Sequence, residues 1–290
     1  MLMPPLSTSD MSVNGRYFLI TGGTQGLGLA IARLLKTNGA AGLILVSRSP
    51  EKGVQAVEDL QDETCQAYFI KADLNDSKEV ANVFPRAEEL IGPNNVITGV
   101  VNAAATSSRG NLFTTTAEEF DRQMQINVRA PFLITQGAAR HMMSRHDQSK
   151  QKDSSSGPRS GGSIVNICSV AAYGGAPFVM AYSATKAALV ALTKNNAAEL
   201  APKGIRVNAV NMGWCYTDNE NKLQTEQSDA GWIDRADAGV PLGRILRPTD
   251  VAATVAFLLS DASAMMTASA IDLHPEFPHG MLSLLDEDAR

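Results

Sequence analysis

Short apolar runs of strand length recur between helical stretches along nearly the whole 290-residue chain, and this rhythm limits the folds open to it more than any other feature. Runs at 16–21, 43–47, 67–72, 97–103, 163–168, 205–210 and 269–273 read as strands, with helices at 27–37, 77–91, 117–145, 178–201 and 249–260. Strands that are almost continuously apolar must be covered on both faces. The pattern therefore predicts an α/β fold, a doubly wound parallel seven-stranded sheet with helices on both faces. No composition break marks a linker, and 44% hydrophobic content over this length can fill one substantial core. We read 1–15 as an N-terminal extension and 16–290 as a single domain.

Charge and cysteine usage narrow the function. A net charge of -5, from 25 basic and 30 acidic residues, provides no basic stripe for nucleic acid and no polybasic patch for a membrane surface. A small-molecule substrate fits better. The longest apolar stretches are strand-length, and Met1 to Gly15 lacks the charged and apolar regions of a signal peptide, so a cytoplasmic location is the default expectation. Cys65, Cys168 and Cys215 are an odd, dispersed set without metal spacing, consistent with reduced thiols. Two prolines interrupt His274, Glu276 and His279, which lack a third nitrogen or sulfur ligand, so these residues read as a surface loop and no metal is expected.

Two motifs carry chemistry. Thr21-Gly22-Gly23-Thr24-Gln25-Gly26-Leu27-Gly28 lies between the first strand and first helix, where glycines let the backbone turn tightly and approach a pyrophosphate at a helix N-terminus. Its spacing, Gly-x-x-x-Gly-x-Gly, departs from the usual Gly-x-Gly-x-x-Gly, and a ligand-free tight turn is the plainer alternative. Tyr182-Ser-Ala-Thr-Lys186 puts a phenol and an ammonium on one helix face, shortly after Ser169 at a strand end. A nearby cation favours phenolate over phenol, which makes Tyr182 a candidate proton donor and acceptor.

Taken in order, Thr21-Gly22, Gly26, Gly28, Asn102-Ala103-Ala104, Asn127, Ser169, Tyr182, Lys186 and Asn211-Met-Gly213 resemble the classical short-chain dehydrogenase/reductase family from about Arg16 to about Leu273. The resemblance implies a Rossmann-type fold and an NAD(P)-dependent oxidoreductase that interconverts a secondary alcohol and a ketone. It casts Ser169 as the donor that polarises the substrate oxygen and Tyr182 as the proton-transferring group. Lys186 would act on Tyr182 and on the nicotinamide ribose. Asn127 would hold a relay water, its unfavourable mid-helix place hinting at a task, with an i−4 backbone bond as the alternative. The implied cofactor contacts are Thr21, Gly22, Gln25, Gly26, Leu27, Gly28, Ser47, Arg48, Asp73, Leu74, Asn102, Ala103, Ala104, Tyr182, Lys186, Gly213 and Thr217. Met212 stands where the family usually has proline, which predicts a looser turn there.

Cofactor choice is read at the end of the second strand. An acidic residue there would bind ribose hydroxyls and repel a 2′-phosphate. Here Ser47 is followed by Arg48, whose guanidinium can grip a phosphate, so NADP(H) is favoured, with NAD(H) kept open because Arg48 could simply stack on adenine. Asp73 matches the family's adenine contact and could equally cap the helix near Ser77.

The segment 214–239 reads as a substrate lid with six acidic residues (Asp218, Glu220, Glu226, Asp229, Asp234, Asp237) against Lys222 and Arg235. Such a mouth would steer away an acidic acyl carrier protein, whereas Trp214 and Tyr216 beside carboxylates suit a sugar or polyol; Trp214, Ser169 and Tyr182 are the candidate substrate contacts. A 3-oxoacyl, xenobiotic or steroid ketoreductase is the alternative, and a non-enzymatic NADP-binding sensor fits the complete catalytic set less well. The Ser-, Lys- and Gly-rich stretch 145–162 reads as a solvated insertion. The last strand reads as an exposed edge, and the tail carries Phe277, Met281, Leu282, Leu284 and Leu285. Both predict a homo-oligomer, a dimer or tetramer, with the tail docked on a neighbour or folded back on its own subunit.

Overall fold

A computed structural model describes residues 11–150, 161–227, 229 and 231–275. The tail residues named above and most of the 145–162 stretch lie outside them. Seven parallel strands form one sheet in the order β3-β2-β1-β4-β5-β6-β7. They are β1 (Tyr17–Thr21), β2 (Gly42–Ser47), β3 (Gln66–Lys71), β4 (Ile97–Asn102), β5 (Gly162–Ser169), β6 (Ile205–Met212) and β7 (Ala270–Leu273), each within a few residues of its predicted span. The order reverses between β1 and β4, and ligands of such sheets bind beyond the strand carboxyl ends at that point.

The helices are α1 (Gly26–Thr37), α2 (Pro50–Leu60), α3 (Ser77–Ala81), α4 (Val83–Ile91), α5 (Ala117–Met124), α6 (Ala130–Lys150), α7 (Met180–Leu200), α8 (Asp218–Gln227), α9 (Trp232–Ala238) and α10 (Pro248–Leu259). Side chains alternate across β1. Phe18 and Ile20 pack with Ile31 and Leu35 of α1 and Val251 and Val255 of α10. Tyr17 and Leu19 face Val83 and Phe84 of α4 and Ile134 of α6. Each fully buried Leu, Ile or Phe stabilises the fold by roughly 1.5–3 kcal/mol, and both layers are built of them.

Several expectations need correction. The 77–91 helix is two helices that meet at Asn82, which ends α3 and precedes α4. The 117–145 helix is interrupted by a π-helical turn at Gln125–Arg129, and α6 runs on to Lys150 despite its polar end. Helix α2 was absent from the sequence reading. Asp76, not Asp73, caps α3, accepting from the Lys78 and Glu79 amides. Met212 does not loosen its turn: it is the last residue of β6, paired with Ser169 and Leu273, and the Gly213 amide donates to the Leu273 carbonyl at 2.9 Å. Among the described residues no helix is long and apolar enough to cross a membrane.

Candidate active site

The glycine turn sits at the sheet's switch point. Its Gly22 amide donates to Val46 O of β2 at 2.8 Å, and Thr21 Oγ1 accepts from the Ala104 amide beyond β4 at 3.3 Å. Gly28 packs so closely under the turn that a Cβ there would lie 2.2 Å from Gly22 O. Gly26, with φ +50°, is different: its Cβ position meets nothing nearer than Thr217 at 3.9 Å. A space is thus left between the N-terminus of α1 and Thr217, and backbone amides at a helix N-terminus suit an anion. Leu27 packs on the core from the same turn. On β4 the Asn102 side chain donates to Asn166 Oδ1, and its own buried Oδ1 has no partner among the described residues. Ala103 follows it into the loop that continues to Ala104.

Around the end of β2, Thr24 Oγ1 donates to Ser47 Oγ at 2.9 Å. Arg48 is exposed and has no hydrogen-bond or ion-pair partner among the described residues. Lys52, in the first turn of α2, donates from Nζ to Gln25 Oε1 of the glycine turn. Across the adjacent strand end, Asp73 accepts from the Asn75 amide at 3.0 Å, and Leu74 is buried beside it.

Ser169 ends β5 and opens a single 3-10 turn, its Oγ accepting from the Ala171 amide at 3.1 Å. Tyr182 and Lys186 occupy successive turns at the start of α7. Lys186 is buried, donates from Nζ to Ile167 O of β5 at 2.7 Å, and lies 5.4 Å from the centroid of the Tyr182 ring. The ammonium therefore ties the tyrosine's helix to the serine's strand. Asn127 is fully buried in the π turn. Its amide donates to Thr106 O at 2.8 Å and Thr185 Oγ1 at 3.1 Å, while its Oδ1 accepts from the Thr106 amide at 2.9 Å. Thr185 in turn donates to Tyr182 O at 2.7 Å. Both amide protons of Asn127 are thus used inside the protein, and no i−4 bond is involved; π turns recur at functional positions because they re-aim a side chain in this way.

The segment from Trp214 to Ile245 has a small core of its own. Trp214, Tyr216 and Trp232 stack, with ring centroids 5.4 Å apart for the two tryptophans and 5.9 Å for Tyr216 and Trp232. Arg247 lies over Tyr216 and holds Asp237 through two bonds, and that pairing keeps the Asp237 carboxyl below its ordinary range. Glu220 Oε1 accepts from both Trp214 Nε1 and Gln224 Nε2. Thr217 Oγ1 accepts from the Glu220 amide at 3.1 Å, fixing the start of α8, and Gly213 leads into this segment. The aromatic faces assigned from the sequence to a substrate are thus partly occupied by one another.

The β1 turn, the β4 end, Ser169, Tyr182, Lys186 and Asn127 belong to one sheet fold whose strand order reverses between β1 and β4. A family model described as Enoyl-(Acyl carrier protein) reductase matches residues 22–273. The chain belongs to the short-chain dehydrogenase/reductase family. It is 33% identical to a probable galactose dehydrogenase of Rhizobium meliloti over 93% of this chain and 97% of that protein. It is 32% identical to a 3-oxoacyl-[acyl-carrier-protein] reductase of Rickettsia bellii over 91% of this chain and 97% of that one. Among solved structures, a gluconate 5-dehydrogenase from Burkholderia cenocepacia, in complex with NADP and tartrate, superposes with a TM-score of 0.78 at 28% identity, covering 91% of this chain and 96% of the other. The protein is accordingly an oxidoreductase of the short-chain dehydrogenase/reductase type.

Sequence reasoning missed Lys52, Thr106 and Thr185 as members of this constellation. Ser49-Pro50, a capping residue followed by proline at the first helical position, was the available signal for α2 and hence for Lys52. Thr106 had none, since only the tertiary fold brings it to Asn127. Among the described residues no group of three or more His, Cys, Asp or Glu side chains is placed to hold a metal; Glu276 and His279 lie outside them.

Proposed function

We propose that this protein is an NADP(H)-dependent enzyme that interconverts a secondary alcohol and a ketone on a small polyhydroxylated substrate. The observation that carries the reading is the join made by Lys186, which binds the strand of Ser169 while lying against the ring of Tyr182. The residues present fit a dinucleotide. The open floor at Gly26 suits the pyrophosphate, Asn102 has a buried oxygen without a protein partner, and the β2 end carries Ser47 and an unpaired Arg48 in place of a carboxylate. Thr21, Gly22, Gln25, Leu27, Gly28, Asp73, Leu74, Ala103, Ala104, Gly213 and Thr217 would line the remainder. A bound nicotinamide supplies or accepts the hydride.

In the reducing direction Ser169 Oγ donates a hydrogen bond to the substrate carbonyl oxygen, and the Tyr182 hydroxyl gives it a proton as negative charge develops there. The phenolate left behind faces the fixed Lys186 charge. Lys186 ties α7 to β5, and Thr185 and Asn127 tie the first turns of α7 to the π turn and the Thr106 loop, so the Ser169 and Tyr182 hydroxyls keep their separation through the reaction. Oxidation runs the same proton transfer backwards.

The substrate class rests on the acidic lid, on the exposed Asp218 at its base, and on likeness to a galactose and a gluconate dehydrogenase. Likeness to the Rickettsia reductase favours a 3-oxoacyl substrate instead. The six lid carboxylates oppose that, because an acyl carrier protein is itself acidic. Among the described residues β7 forms one edge of the sheet, and the proposal includes a homo-oligomer that covers it. An absorbance screen at the reduced-nicotinamide band, crossing NAD and NADP with sugars, polyols, 3-oxoacyl thioesters and hydroxysteroids, tests the reading. Turnover of sugars or polyols with NADP is expected, and activity confined to acyl thioesters would refute the substrate class.

A further inference from the structure

Beside the expected 2′-phosphate ligand Arg48 stands a second cation that the sequence did not reveal. We infer that Lys52 is a specificity-determining residue for a 2′-phosphorylated dinucleotide, acting with Arg48 at the β2–α2 corner. The inference rests on the NADP(H) reading above and adds a residue to it. Three features support it.

The first is position. Lys52 is the third residue of α2, four beyond Arg48, and its ammonium reaches Gln25, the residue that precedes α1 in the glycine turn. It therefore spans from the second βα corner to the first, the interval in which an adenosine ribose must lie if the pyrophosphate sits at α1 and the 2′ oxygen at Ser47. The second is charge. The partner of Lys52 is a neutral amide oxygen, and no carboxylate pairs with either Lys52 or Arg48 among the described residues. The nearest acidic candidate, Glu51, is turned onto Ser49 Oγ at 2.8 Å. Bonds to its own backbone amide and to Ser49 hold the Glu51 carboxyl below its ordinary range, with Lys71 adding to the effect. Two unneutralised cations match a phosphate monoester that carries roughly −1.5 to −2 charge at pH 7.

The third feature is preorganisation. A free lysine must lose rotamer freedom on binding a phosphate, and Gln25 already restrains this one. Gln25 Oε1 uses only one proton of the ammonium, which leaves two donors for phosphate oxygens. Gln25 is thus a positioning residue for Lys52, the role left to it once it is not itself basic.

Fluorescence titration of NADPH and NADH on the full chain tests the inference in wild type, Lys52→Ala, Lys52→Arg and Arg48→Ala, at low and high salt, with circular dichroism to verify folding. Lys52→Ala should weaken NADPH roughly tenfold, the size of one charge-assisted hydrogen bond, and leave NADH within about twofold. Lys52→Arg should restore most of the NADPH affinity, and the Lys52→Ala defect should shrink as salt screens the site. Equal losses for both cofactors, or no loss for either, would overturn the role. NADPH selectivity lost in Arg48→Ala but kept in Lys52→Ala would overturn this inference alone, whereas wild type binding NADH as tightly as NADPH would overturn the cofactor reading with it.

Discussion

The two glycines of the first turn make opposite predictions on replacement by alanine. A methyl group on Gly28 would lie 2.2 Å from Gly22 O and 2.7 Å from Gly22 C, so α1 has to move away from the turn. Backbone atoms cannot rotate aside as a flexible side chain can. Overpacking of this kind costs about 1–3 kcal/mol, which for a chain of this size lowers Tm by roughly 2–12 °C. Gly26 meets no atom within 3.8 Å in the same test, because Thr217 is first reached at 3.9 Å. Its cost is conformational: φ is +50°, and an L-residue there loses about 1–2 kcal/mol, or roughly 2–8 °C. Its methyl, however, enters the space assigned to the pyrophosphate, so NADPH affinity should fall by more than about tenfold. Thermal unfolding without ligand and fluorescence titration with NADPH separate the two effects. Gly26→Ala that binds NADPH like wild type would refute the cradle, and Gly28→Ala that melts with wild type would refute the close packing of α1 on the turn.

Asn127→Leu leaves the amide and carbonyl of Thr106 without their partner, and at about 1–3 kcal/mol for each of these two groups the variant should melt roughly 4–24 °C lower; an unchanged Tm would show that the π turn does not depend on this clamp. Burial pushes the Cys168 thiol up to about 11 and the Cys215 thiol up to about 12. Because the folded values lie above the unfolded value of about 8.5, their contribution to stability is intact below that pH and is lost as pH rises towards 11. Unfolding free energy should therefore decline above about pH 9, and a thiol reagent at pH 8 should leave both cysteines unmodified until the protein unfolds. Rapid modification of the native protein would contradict this burial.

Strand positions were legible because a doubly covered sheet demands unbroken apolar runs, and all seven runs became strands of the one sheet. That Tyr182 and Lys186 share a helix face beside the strand of Ser169 was legible because strand ends and helix periodicity fix such placements. Helix α2 was harder to see: Gly53 interrupts its apolar face, and only in the fold is it apparent that the glycine makes room for the Phe69 ring, whose atoms would lie 2.5 Å from a Cβ there. The π turn that aims Asn127 has no local sequence signature, since it depends on Thr106 and Thr185 contributed from elsewhere. Likewise nothing in the local sequence shows that Trp232 stacks on Tyr216 and lies tilted against Trp214.

The proposed function turns on proton transfer by Tyr182, and one substitution isolates it. Tyr182→Phe keeps the ring against Lys186 and removes only the hydroxyl, so cofactor affinity should stay within about twofold while turnover falls by on the order of a hundredfold or more. The measurement compares wild type and Tyr182→Phe with NADP and the best sugar or polyol at the reduced-nicotinamide band, alongside NADPH titration of each. Loss of turnover with binding retained is the predicted result, and a variant that keeps more than a few per cent of the wild-type rate would contradict the assignment.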